Sequence, residues 1–173
     1  SGNLSLRTAS GFAVTPSGLP YAAMTASDLV DCSPDAPGPN ASSEWRLHAA
    51  IYRARPDAKA IVHTHSPRAT ALSCARRGIP PIHYMITLAG AGAIPCAKHA
   101  TFGTEELAQA CVAALGAASR ATLLANHGVV AREVESLAGQ YLDLLAAGLG
   151  PVLLGERELA EAVAQLKGYG RPA

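Results

Sequence analysis

The stretch Ala60-Ile-Val-His-Thr-His-Ser66 limits this chain's options more than any other. Ala60 to Val62 is a short apolar run of the kind that forms a buried strand. His63 and His65 follow two residues apart, and in a strand that spacing puts both imidazoles on one face. Ser66-Pro67 then supplies an N-cap and a proline at the first helical position, so the pair sits where a strand gives way to a helix. Binding residues concentrate at such junctions. A second apolar strand, Ala121-Thr-Leu-Leu124, runs into Ala125-Asn-His127-Gly128 and so also ends in a histidine. Upstream, Glu44 stands in Ser42-Ser-Glu-Trp45. Three neutral imidazoles and one displaceable carboxylate suit a catalytic divalent ion, zinc foremost, that keeps an exchangeable position. Each ring taken singly equally fits the end of a strand or a bond to a backbone carbonyl. The residues alone therefore leave metal binding and packing both open.

At 173 residues the chain is one domain, long enough to bury about 70% of the surface its unfolded form exposes. Hydrophobic residues make up 49% and aromatic ones 5%, which fits an α/β or α-rich globule and excludes a disordered chain. A net charge of +1 with no basic run argues against nucleic acid or an anionic membrane surface as partner. Cys32, Cys74, Cys96 and Cys111 are dispersed with no C-x-x-C, the usage of a reducing compartment, and Cys74 and Cys111 read as small core residues. No apolar run reaches the about 18 residues of a membrane span, and no signal-peptide pattern opens the chain. A cytoplasmic protein is expected.

Asn3 to Arg7 and Phe12 to Val14 read as a hairpin, and 25–30 as one helical turn. Residues 31–41 read as a Pro-rich loop. Ser43 is expected to cap a helix running to Arg55, with Leu47, Ala50, Ile51 and Ala54 buried and Glu44 in the first turn, where the helix dipole favours the charged carboxylate. A second helix should run from Ser66 to a stop at Gly78, followed by an apolar stretch over 79–87, a flexible loop over 89–93 and a strand over 94–96. Thr104 caps a third helix, Glu105 to Leu115, with Gly116 beyond it; a return strand spans 129–131, and 136–147 and 156–167 read as terminal helices. Three turns rich in small polar residues, Gly2-Asn3, Thr15-Pro-Ser17-Gly18 and Ser42-Ser43, could expose donors to an anion, and each equally reads as an ordinary loop.

The blocks Ser1-Gly-Asn-Leu-Ser5, Thr15-Pro-Ser-Gly-Leu-Pro-Tyr21, Ser42-Ser-Glu-Trp-Arg46, His63-Thr-His65, Ile82-His-Tyr-Met-Ile86, Ala100-Thr-Phe-Gly-Thr104 and Leu123-Leu-Ala-Asn-His-Gly128 span almost the whole chain. In this order they resemble the class II aldolase and adducin family. The resemblance implies an α/β fold with a central, mainly antiparallel sheet flanked by helices, assembled as a homotetramer with the active site at the subunit interface. It implies one zinc ion per subunit, or a similar divalent ion, on His63, His65, His127 and Glu44. It makes Glu44 the residue that moves a proton on carbon, and Gly2, Asn3, Ser17, Gly18, Ser42 and Ser43 the cradle of a substrate phosphate. The implied reaction is reversible cleavage of a ketose 1-phosphate, of the L-fuculose 1-phosphate kind, to dihydroxyacetone phosphate and an aldehyde such as lactaldehyde. Zinc would act as a Lewis acid on the substrate oxygens.

The chain departs from the family in four respects. Where the family has an acid tyrosine just ahead of Ala-Thr-Phe-Gly-Thr, this sequence has His99, and a C-terminal family tyrosine matches Tyr169. The family's N-terminal helical segment ahead of Gly-Asn has no counterpart here, and helix is missing between Val134 and Glu135. The loop over 31–41 is shorter than usual. The same scaffold also serves sugar-phosphate epimerases, dehydratases and decarboxylases, and a non-catalytic adducin-like interaction domain. The intact Glu44, His63, His65 and His127 argue against the last of these.

Overall fold

A computed structural model of the chain describes residues 2–133. The helices expected over 136–147 and 156–167, and the junction at 134–135, lie outside the described residues. Among the described residues seven strands form one sheet: β1 (Gly2–Arg7), β2 (Phe12–Val14), β3 (Val30–Cys32), β4 (Ala60–Thr64), β5 (Cys96–Ala97), β6 (Ala121–Leu124) and β7 (Gly128–Glu133). Their order is β3-β2-β1-β4-β7-β6-β5, antiparallel except for the β5–β6 pair. Helices α1 (Trp45–Ala54), α2 (Pro67–Cys74) and α3 (Glu105–Leu115) cover it. The expected α/β fold, a mainly antiparallel sheet between helices, is what forms.

Alternation along the strands explains the layers. Leu124 and Val130 pack with Phe12, Ile51, Ile61, Leu107 and Cys111 beneath α1 and α3. Their neighbours Leu123 and Val129 point the other way and pack with Ala69 of α2 and Ile94. The central strands are joined over long sequence distances, and their register sets the site. Asn3 of β1 faces His63 of β4, which in turn faces Val130 of β7. These three side chains therefore share the sheet face that carries α1.

Helix α1 is tied to β1 at its C-terminal end by Arg7. That guanidinium donates to the carbonyls of Tyr52 (2.9 Å), Arg55 (2.8 Å) and Ala58 (2.7 Å), satisfying groups that a helix end leaves open. The helix begins one residue later than expected. Glu44, not Ser43, is its N-cap, and the Ser42 hydroxyl receives the Glu44 N–H (3.3 Å). Its buried arc is also wider than the expected stripe. Leu47 and Ile51 are buried as expected, but His48, Ala49 and Tyr52 are buried too, and Ala50 is only half-buried, because the helix packs on β1 as well as on α3.

Helix α2 stops at Cys74, not at Gly78. Arg76 takes a left-handed φ of 54°, and its N–H and that of Arg77 close back on the carbonyls of Ser73 and Leu72 at 3.0 Å each. That is a Schellman closure with arginine in the position glycine usually fills. Cys111 is buried as expected, whereas Cys74, in the last turn of α2, is exposed. The first residues of the Pro-rich loop are taken up by β3, and the strand expected over 94–96 is the shorter β5. The apolar stretch over 79–87 contributes one bridge, Ile79 to Ile94, and then a 3-10 turn over Tyr84–Ala89 that leaves Ile82 79% and Tyr84 76% exposed. Helix α3 runs as expected, with the Thr104 hydroxyl receiving the Leu107 N–H and Gly116 at its end.

Candidate metal and active site

His63 is completely buried on β4, and its Nδ1 lies 3.0 Å from the Val129 carbonyl. A carbonyl only accepts, so Nδ1 carries the hydrogen and Nε2 is turned to the site. His65 follows just past the strand's end, with its Nε2 3.0 Å from that of His63. His127 arrives from the turn between β6 and β7. Asn126 makes that turn possible with a left-handed φ of 58°, and the Ser73 hydroxyl receives the His127 N–H (3.3 Å). The three rings stand with centroids 4.8–4.9 Å apart.

Glu44 closes the group from the N-terminus of α1. Its Oε2 lies 3.1 Å from His63 Nε2 and accepts from Asn3 Nδ2 (2.9 Å), and its Oε1 is 3.4 Å from His127 Nε2. Burial alone raises this carboxyl; in the metal-free group a proton on His63 or His127, through its bond or its field, together with the Asn3 amide, outweighs burial and holds the group at about 2. His127 is pushed down to about 4 by burial and by His63, with Glu44 opposing, so at neutral pH its ring is neutral, as a ligand requires.

The donor set fits a divalent ion. One potential ligand atom from each of Glu44, His63, His65 and His127 lies within 4.8 Å of all the others. Glu44 Oε1 is buried with no hydrogen-bond partner among the described residues, an expensive condition for a carboxylate oxygen. His63 Nε2 faces both a carboxylate oxygen and another imidazole nitrogen. Such a convergence of acceptors calls for a cation among them. Three imidazoles and a carboxylate are a zinc-type set. The sequence singles out all four residues as candidates, but no local pattern brings Glu44 through α1 to the histidines of β4 and the β6–β7 turn.

The three small-residue turns are brought together next to this group. Thr15 accepts the Leu4 N–H on its hydroxyl (3.1 Å) and donates its own N–H to the Leu4 carbonyl (2.9 Å). Ser42 N–H reaches the Thr15 carbonyl (3.2 Å), Ser17 N–H that of Asn40 (2.9 Å), and the Tyr21 hydroxyl that of Gly2 (2.7 Å). Ser17, Gly18 and Ser43 remain exposed, Ser42 and Asn3 are buried, and Gly18 has the left-handed φ of 77° that its turn needs. His99 is exposed beside the His127 turn, its Nδ1 donating to the Ala125 carbonyl (3.2 Å), and its field reaches His127. Tyr169 lies outside the described residues.

Sequence reasoning missed His48, which reaches Glu44 through Asn3. The signal was present: Glu44, His48 and Tyr52 recur every four residues, and Asn3 and Ser5 every two.

The sheet order and the His/Glu group define an α/β protein with a candidate divalent-metal centre, and comparison with known proteins places it further. Residues 1–141 match the profile of the Class II Aldolase and Adducin N-terminal domain. The L-fuculose phosphate aldolase of Escherichia coli (strain K12) is 42% identical over 184 residues, covering 98% of this chain and 85% of the relative. The 5-methylthioribulose-1-phosphate/5-deoxyribulose-1-phosphate aldolase of Rhodospirillum rubrum is 41% identical, covering 98% and 82%. Among solved structures, the L-fuculose-1-phosphate aldolase of Thermus thermophilus superposes with a TM-score of 0.73 at 32% identity, over 98% of this chain and 87% of that one. The chain belongs to the class II aldolase and adducin family.

Proposed function

We propose that the protein is a zinc-dependent aldolase that reversibly cleaves a ketose 1-phosphate, L-fuculose 1-phosphate or a near relative, to dihydroxyacetone phosphate and an aldehyde such as lactaldehyde. The observation that carries this reading is the unpartnered Glu44 Oε1 among three imidazoles, next to a cluster of hydroxyl-bearing turns. His63, His65, His127 and Glu44 would hold the ion, and a divalent ion there would supply Lewis acidity to the substrate's oxygens. Relatives named for L-fuculose phosphate and for 5-methylthioribulose 1-phosphate stand at almost equal identity, and the solved relative's name makes the former a 1-phosphate too.

Glu44 is the proton carrier. Asn3 holds its Oε2, and its buried Oε1, with no hydrogen-bond partner among the described residues, is the oxygen available to take a proton. It would take the proton from the carbon of the dihydroxyacetone phosphate fragment and return it. Exposed Ser17, Gly18 and Ser43, with Gly2, Asn3 and Ser42, would hold the phosphate by neutral donors. His99 would give a proton to the aldehyde oxygen. Its Nδ1–H is spent on Ala125, so the donated proton must come from Nε2 of the charged ring. Tyr169 would assist from the C-terminal part. The exposed Ile82, Tyr84, Met85 and Leu88 fit a subunit interface of the kind the proposed homotetramer needs. No described helix is long and apolar enough to cross a membrane, and the four unpaired cysteines suit the cytoplasm.

The test is a panel of ketose 1-phosphates, free ketoses and pentulose 5-phosphates incubated with zinc-loaded protein, with products identified. Release of dihydroxyacetone phosphate from a ketose 1-phosphate, and none from the free sugar, is expected. Epimerised or dehydrated product without carbon–carbon cleavage overturns the reading.

A further inference from the structure

Behind Glu44 a row of polar side chains runs inward between β1 and α1. Asn3 Nδ2 donates to Glu44 Oε2 at 2.9 Å. Asn3 Oδ1 meets His48 Nε2 at 2.5 Å. His48 Nδ1 meets Ser5 Oγ at 2.6 Å, and Ser5 Oγ meets the Tyr52 hydroxyl at 2.9 Å. Asn3, Ser5, His48 and Tyr52 are all buried, and His48 is fully so.

The direction of every bond in this row follows from one end. A carboxylate only accepts, so Asn3 must turn its NH₂ to Glu44 and its oxygen to His48. An amide oxygen also only accepts, so His48 Nε2 carries the hydrogen. Burial and the field of His63 push His48 down to about 3, with Glu44 opposing, which leaves the ring neutral and Nδ1 a lone pair. Nδ1 then accepts from Ser5, and Ser5 accepts from Tyr52. Every donor points toward Glu44. The opposite tautomer of His48 would turn the Asn3 oxygen against the carboxylate and lose that bond.

We propose that this row is a positioning relay: His48, locked as its Nε2–H tautomer by Ser5 and Tyr52, fixes the Asn3 amide so that it holds Glu44 Oε2 and leaves Oε1 aimed at the three imidazoles. The proposal rests on the reading of Glu44 as proton carrier and adds His48 to it as a positioning residue. It also gives Asn3 a duty besides phosphate, since only one of its two Nδ2 hydrogens is spent on Glu44. Holding the helix in place does not require the row, because Arg7 already ties the far end of α1 to β1.

The first measurement needs no substrate. Long-range proton–nitrogen NMR correlation on protein labelled with ¹⁵N-histidine, with His48→Gln to assign the ring, should show His48 as the neutral Nε2–H tautomer at neutral pH, with and without zinc. The Nδ1–H tautomer or an imidazolium overturns the relay whatever the protein's activity. The second compares His48→Leu with His48→Gln on the ketose 1-phosphate that the wild type cleaves. His48→Leu should lower kcat about 10–100-fold with KM changed by less than about twofold, the usual effect of losing the group behind a metal ligand. His48→Gln, which keeps a donor and an acceptor, should regain most of that loss. Equal losses in both variants, or a fall in Tm with kcat unchanged, overturns the positioning role. If His48→Leu fails to fold, the tautomer alone decides.

Discussion

At the scale of single residues, the site is a problem of which atoms carry hydrogens. His63 spends its Nδ1–H on Val129, so its other nitrogen is committed to whatever lies among Glu44, His65 and His127. His48 is the opposite case, a histidine whose burial keeps it neutral. Its shift has a defined consequence for stability. The folded-state value of about 3 lies below the ordinary 6.5, so the unfolded chain binds the proton first. The contribution is fully present above 6.5 and is lost as pH falls from there toward 3, at about 1.4 kcal/mol per pH unit. Urea unfolding of metal-free protein between neutral pH and mild acid should show that extra slope in the wild type relative to His48→Gln. The difference between the two isolates His48 from His127, which is depressed in the same direction. Identical slopes would mean that His48 is charged in the folded protein.

Between elements, close approach decides the geometry. Gly128 opens β7 against the end of β4, where a Cβ would strike the Thr64 carbonyl and stand 3.1 Å from His65 Cδ2. Gly128→Ala should therefore push His65 out of line and weaken zinc binding about 10–100-fold, read by chelator competition. Unchanged affinity would show that His65 adds little to the site. Strands β1, β2, β4, β6 and β7, the Thr104 cap and the histidine at the end of each buried strand were legible in the sequence because alternation and capping are local; β3, inside a Pro-rich stretch, was not. The true start of α1 at Glu44, the Arg76 closure of α2, and the burial of His48 and Tyr52 were not, since each depends on what packs against the helix. Nor does any local pattern say that Asn3 will stand opposite His63, sixty residues away, though that pairing is what puts an amide beside the carboxylate.

For the whole molecule, the proposed homotetramer would make the active site a shared property of subunits. If His99 serves the site of a neighbouring copy, Glu44→Gln and His99→Phe proteins, each inactive alone, should regain partial activity when mixed under conditions that exchange subunits. Mixtures no better than their components would confine His99 to its own subunit or remove it from the chemistry. The central claim is that Glu44 moves a proton on the carbon of dihydroxyacetone phosphate within the His63, His65 and His127 group. It is tested most directly by solvent deuterium exchange into dihydroxyacetone phosphate, followed by NMR without any aldehyde present. Zinc-loaded wild type should exchange one hydrogen stereospecifically, and Glu44→Gln should fall to the level of the metal-free protein, a loss on the order of 10²–10⁴ for a missing general base. Exchange at the wild-type rate in folded Glu44→Gln would contradict the account.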